Sequence, residues 1–307
     1  MRDEFTPATF QRGLFTALVL VSLGVPAALS AEHHWQLPDA SSGVIDGHPA
    51  ALFWPAVAET AELLDPRGCE VHITKVEKTT ESIYPCGDWF VPPVGRYIAW
   101  VESDQWMSPA PVVFSYGGGP ARTGGARLIT PVVPAGRVSV FFTGQPPRAS
   151  SVRFLSLLGK GGHAIERRAT LDETRRGIRM PAAGCLIGLF ADDDSAVAIS
   201  RPIMVKAHDM TNVKLASPTK PGVLAILRRT ATGPVKVTIH SGAASFAPDV
   251  FLDAPGRVYA VWYALPRSAA NLSIESNDLS LAPVPIPLDR RMLETVRKTM
   301  IARNHEQ

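Results

Sequence analysis

Cysteine is scarce, neither sign of charge prevails, and the signatures that mark the best-known catalytic sites are missing. Three cysteines among 307 residues exclude a disulfide-dense miniature scaffold and any array of paired thiolate metal ligands. The chain has no Cys-x-x-Cys, His-Glu-x-x-His, Gly-x-Ser-x-Gly or Walker loop, so the chemistries those spacings serve lose their usual markers. With 31 basic against 28 acidic residues the formal charge is only +3. That is too little to neutralise a run of phosphates, and nucleic acid is excluded as a partner. Charged residues are also few, at 19% against roughly 25% in an average soluble chain. The 46% hydrophobic content nevertheless suffices to bury cores, so disorder is not the expectation.

One apolar run of any length is present, Leu14 to Leu29. It follows Arg2 and Arg12, is interrupted by Pro26 and ends in small residues, the order of a secretory signal peptide. Cleavage after Ser30 or Ala31 fits, giving a leader over 1–31, and the run is shorter than the roughly 20 residues a spanning helix needs. Asp3 and Glu4 weaken its positive end, and an uncleaved anchor is the alternative. No cysteine follows to accept a lipid, and no twin arginine precedes. The expected location is therefore secreted, periplasmic or otherwise at the cell envelope. Cys69 and Cys86 would close a short loop as a disulfide worth about 3 kcal/mol in the chain-entropy model. Cys185, within Gly184-Cys185-Leu186-Ile187-Gly188-Leu189-Phe190, reads as a small buried hydrophobe without chemistry.

Proline and glycine are plentiful, 27 and 24 residues spread without a collagen period, as many short strands separated by turns require. Four segments combine proline, glycine and a strand-like run: Pro93-Val94-Gly95 before Arg96, Pro134-Ala135-Gly136 before Arg137, Pro181-Ala182-Ala183-Gly184 before Cys185, and Pro255-Gly256 before Arg257. Each reads as a turn launching a core strand, and their irregular spacing argues for related domains and against a solenoid. Alternation predicts half-buried strands at Val71 and Ile73 beside His72 and Thr74, and at Val235, Val237 and Ile239 beside Lys236, Thr238 and His240. The expected class is all-β: tandem small antiparallel β-sandwich domains over 32–115, 116–207 and 208–287. Linkers are expected at Gly117-Gly118-Gly119-Pro120 and Ser217-Pro218-Thr219-Lys220-Pro221. Over 288–307 the period changes, with Met292, Leu293, Val296 and Met300 on one face and Asp289 as N-cap, which predicts a short basic amphipathic helix. That helix packs on its own domain, or else touches a membrane or a partner.

The stretch Thr170-Leu171-Asp172-Glu173-Thr174-Arg175-Arg176-Gly177-Ile178-Arg179-Met180-Pro181-Ala182-Ala183-Gly184 resembles the carboxypeptidase regulatory-like, or transthyretin-like, sandwich domains. Those domains carry an acidic turn, a glycine, an apolar strand and a proline-glycine turn into a strand with an aromatic two positions later. Tyr97 fits that last position, while Val138, Leu186 and Val258 depart from it. The resemblance covers four short stretches and implies an Ig-like fold in a non-catalytic module, with no catalytic residues to carry over.

Candidate sites are few. Gly159-Lys160-Gly161-Gly162-His163 lacks what a phosphate loop needs and reads as a hairpin tip. Asp192-Asp193-Asp194 could offer oxygens to calcium but lacks the spaced ligands and glycine of a known loop. Five of six tryptophans, Trp35, Trp54, Trp89, Trp100 and Trp106, lie within the first 106 residues. Trp100 and Trp89 are expected in the core, and Trp106, in the polar Asp104-Gln105-Trp106-Met107-Ser108-Pro109, is the candidate for a binding surface. A processed terminus, Ala31-Glu32-His33 or Glu32-His33-His34, could wrap copper(II) or nickel(II) in a square plane through His33 or His34. No other cofactor is called for. The functional expectation is a non-catalytic binding or structural module for a cell-envelope protein, a peptide or a glycan. Membrane contact would come only through the C-terminal helix or an uncleaved leader. The alternative is an extracytoplasmic enzyme of unfamiliar design.

Overall fold

The computed structural model describes residues 36–39, 43–76, 78–117, 125–145, 150–157, 163–216, 222–229, 235–264, 271–276, 279–285 and 293–300. The expected leader, His33 and His34, the glycine-rich 159–162 and the linker residues 118–120 and 217–221 lie outside them. Strands dominate, in three successive sets. The first holds β1 (Val44–Ile45), β2 (His48–Pro49), β3 (Ala51–Val57), β4 (Glu70–Lys75), β5 (Glu81–Pro85), β6 (Gly95–Glu102), β7 (Trp106–Met107), β8 (Val112–Tyr116) and the long β9 (Ala126–Thr143). The second adds β10 (Ser150–Ser156), β11 (Glu166–Thr170), α1 (Leu171–Arg175), β12 (Ile178–Pro181), β13 (Gly184–Ala191), β14 (Ala196–Ile199), β15 (Ile203–Met204) and β16 (Met210–Ala216). The third runs through β17 (Gly222–Arg229), β18 (Val235–Ser241), β19 (Ala244–Phe246), β20 (Val250–Ala254), β21 (Arg257–Trp262), β22 (Asn271–Ser276), β23 (Leu279–Pro285) and β24 (Leu293–Met300).

One pairing plan recurs in all three. An antiparallel sheet takes the order β5-β4-β6-β8 in the first set, β11-β10-β13-β14 in the second and β19-β18-β22-β23 in the third. Opposite it, one strand near the start of each sandwich pairs in parallel with the strand that closes it. Thus Ala51–Val57 meets 126–132 of β9, Met210–Ala216 meets 137–143 of β9, and Gly222–Arg229 meets Leu293–Met300. β9 therefore closes one sandwich with its first half and opens the next with its second. Each core lies between the facing sheets: Phe53, Val71, Ala99 and Val132 in the first, Val140, Phe154, Ile187 and Leu215 in the second, Ala225, Ile239, Ala260 and Leu272 in the third.

Two expectations change. The stretch 293–300 is a strand, not part of a helix. Its partner β17 offers an open edge in the register Gly222↔Leu293 to Arg229↔Met300, and the β-branched Thr295, Val296 and Thr299 suit a pleated backbone better than a helix. Eight ladder positions outweigh a helical spacing of apolar residues that a strand can also present. The second change concerns Pro134-Ala135-Gly136, which lies inside continuous β9 and not at a turn. Gly136 is required there by close approach, since a Cβ would sit 1.9 Å from the Lys206 carbonyl oxygen.

The strands are also more buried than alternation implied. On β10, β13, β17 and β21 one face fills its own sandwich, and the other supplies Leu155, Leu186, Phe190, Leu224, Tyr259 and Val261 to a shared apolar layer between the second and third sets. Burial on both faces explains the near-continuous apolar runs of those strands.

Candidate functional site

Along β4, Val71 and Ile73 enter the first core while Glu70, His72 and Thr74 point to the opposite face, as period-two geometry demands. Register puts His72 beside Trp100 on β6 and Glu70 beside Glu102. In a lone sandwich this polar row would face water. Here the second set covers it, with Arg167 of β11 reaching the Glu102 Oε2 and Arg179 of β12 lying 2.7 Å from Asp104. The third set arrives through its β20–β21 turn, where the Gly256 N–H donates to the Val76 carbonyl at 2.8 Å. Gly256 has φ +68, and a Cβ would come 3.1 Å from the Lys78 carbonyl oxygen, so the turn needs glycine both for its conformation and for its approach.

The three sets leave a cleft of about 370 Å³ lined by His72, Thr74, Thr79, Glu81 and Trp100 from the first, Glu166, Arg167 and Arg168 from the second, and Pro255 from the third. The His72 imidazole stacks on the Trp100 indole at 3.9 Å between centroids and 9° between planes. Its Nδ1 lies 3.1 Å from Glu81 Oε2 and its Nε2 3.7 Å from Glu102 Oε1. Neither nitrogen makes an aligned hydrogen bond, so the attraction is mainly ionic. Burial opposes a charge on His72, but the Glu102 and Glu81 carboxylates outweigh it and raise the pKa to about 9. Burial likewise works against ionised Glu102, and His72 with Arg167 holds its carboxyl below the usual range. At the floor, Glu166 accepts from the Tyr259 hydroxyl at 2.9 Å and from Arg168 Nε at 2.8 Å. Arg153, wholly buried, contacts the Tyr259 oxygen at 3.3 Å and caps the Phe190 ring at 4.2 Å, with Asp194 as its ion partner.

The residues singled out by sequence fall elsewhere. Trp106 on β7 is half-buried against the first core and outside the lining of this cleft. Cys69 and Cys86 face one another at the β4–β5 end, buried as free thiols, with the Cys86 N–H donating to the Cys69 carbonyl at 3.0 Å. A hydrogen bond between the sulfurs draws the Cys69 thiol down and pushes the Cys86 thiol up. Burial pushes the Cys185 thiol up to about 12, far from reactivity at neutral pH. Of the three aspartates, Asp194 sits between Arg153 and Arg257 and Asp193 accepts from Ser195. Their oxygens already serve the protein. Sequence reasoning missed the cleft, although a histidine between Glu70 and Thr74 on the supposed solvent face of a strand was a visible signal.

No family model matches the chain, and no curated protein matches it. Among solved structures, a leucine-rich repeat protein from Bacteroides thetaiotaomicron VPI-5482 is 10% identical with a TM-score of 0.26, the match covering 55% of this chain and 26% of that one. A streptococcal ancillary pilin is 11% identical with a TM-score of 0.18, covering 82% and 98%. A C-terminal fragment of the pilus adhesin SpaC from Lactobacillus rhamnosus GG is 8% identical with a TM-score of 0.21, covering 82% and 96%. Scores of this size do not establish a common fold. Among the described residues no helix is long and apolar enough to cross a membrane.

Proposed function

We propose that this protein is an exported binding module, built of three Ig-like sandwich domains, that holds a peptide or glycan of the cell envelope in the cleft where the domains meet. The observation that carries this reading is the cleft itself: about 370 Å³, contributed to by all three strand sets, with hydroxyls, carboxylates and guanidinium groups around one opening. Arg168, whose side chain is 43% exposed and spends its Nε on Glu166, has further N–H groups to offer a ligand oxygen. Thr74, Thr79 and the half-exposed Glu81 supply complementary donors and acceptors. Mixed, nearly balanced polarity suits a neutral or zwitterionic polar ligand better than a polyanion. The carboxypeptidase regulatory-like resemblance agrees with such a non-catalytic role. Export would also leave Cys69 and Cys86, already facing, in a compartment where they are expected to form their bridge.

The test is a glycan array and an envelope-peptide array probed with the mature chain, as wild type, Arg168→Ala and Trp106→Ala. Capture that falls at least about tenfold in Arg168→Ala and persists in Trp106→Ala, a loss of roughly 1.4 kcal/mol, supports the cleft. Capture that ignores Arg168, or none on either array, contradicts it.

A further inference from the structure

The polar face of β4 and β6 has a second property, independent of any peptide or glycan. One ligand atom from each of Glu70, His72 and Glu102 falls within 4.8 Å of the others. We infer that Glu70, His72 and Glu102 form a binding site for a divalent transition-metal ion, with His72 Nε2 and two carboxylate oxygens as ligands.

Five observations support the assignment. His72 is 4% exposed, and neither ring nitrogen has an aligned hydrogen bond, so an ion that displaces the Nε2 proton breaks no aligned hydrogen bond there. Glu81, 3.1 Å from Nδ1, supplies the carboxylate that commonly accepts the second ring N–H of a metal-bound histidine and fixes its tautomer. Stacking on Trp100 at 9° holds the ring plane. Glu102 divides its two oxygens, Oε2 toward Arg167 and Oε1 toward His72 Nε2 at 3.7 Å, a separation that an ion bound at about 2.1 Å from each can bridge. Register also sets Glu70 directly across from Glu102, a like-charge cross-strand pair that costs stability unless a cation lies between. One imidazole with two carboxylates suits zinc or manganese better than the soft-ligand metals. Three protein ligands would leave a coordination position for water.

The experiment is calorimetric titration of ZnCl2 into chelator-treated mature chain carrying His33→Ala and His34→Ala, so that the terminus contributes nothing. The expected result is one ion per chain, at least about tenfold weaker in Glu70→Gln, roughly 10- to 100-fold weaker in Glu81→Gln, and lost in His72→Gln. Glu70 is exposed, and an unchanged melting temperature for Glu70→Gln keeps that comparison clear of misfolding. Absence of binding to the parent chain, or binding in Glu70→Gln and His72→Gln as tight as in the parent, overturns the site. Because the titration contains no peptide or glycan, its failure leaves the cleft reading untouched, and failure on the arrays leaves the metal site untouched.

Discussion

His72 concentrates the electrostatics of the first polar face. Glu70, Glu81 and Glu102 surround it, Arg167 approaches from the second set, and its pKa rises to about 9. An unfolded histidine titrates near 6.5, so the folded value is the higher one. The stabilisation is then complete below about pH 6.5 and disappears as pH rises through about 9. In metal-free protein we expect the melting temperature to fall across that window by the equivalent of about 3 kcal/mol, and the fall to be absent in His72→Gln. Equal pH profiles for the two proteins would contradict the assignment. Tyr259 poses a simpler case: it donates to Glu166 at 2.9 Å and meets Arg153 at 3.3 Å. Tyr259→Phe leaves both partners under-satisfied in a buried site, and urea unfolding should report a loss of about 1–3 kcal/mol. A change under about 0.5 kcal/mol, the range of ordinary surface substitutions, would show that the network carries no weight.

Strands, and not the helix expected at the C-terminus, close the sandwiches. Among the described residues β24 pairs only with β17, so alternate amides over 293–300 should exchange slowly while those between them exchange fast. A helix would protect a continuous run, and hydrogen exchange resolved by residue distinguishes the two patterns. Within β9, Gly136→Ala must displace the Lys206 carbonyl or bend the strand, and thermal unfolding should show about 1–3 kcal/mol lost. An undisturbed melting temperature would mean that the two backbones separate freely. Both features escaped sequence reading for the same physical cause. A proline-glycine pair signals a turn only when nothing packs on it, and Met292, Leu293, Val296 and Met300 fit a helical face until a partner strand is known. What was legible was local: alternation at Val235, Val237 and Ile239, the turn at Pro255-Gly256, and the all-β class itself.

At the scale of the molecule, the candidate site depends on contacts distant in sequence. Glu102 meets Arg167, Tyr259 meets Glu166, and Gly256 meets Val76, none of which a strand pattern can foretell. The apolar layer of Leu155, Leu186, Phe190, Leu224, Tyr259 and Val261 and the Trp100, Met107, Ala135 and Ile165 cluster make the interfaces between sets cores in their own right. The central claim is that three copies of one strand plan fold as a single body whose junction is the site. Differential scanning calorimetry of residues 32–307 tests it most directly. The account predicts one transition whose van't Hoff and calorimetric enthalpies agree. Two or three separable transitions would show independent beads, and a cleft shared by all three sets could not then be a fixed site.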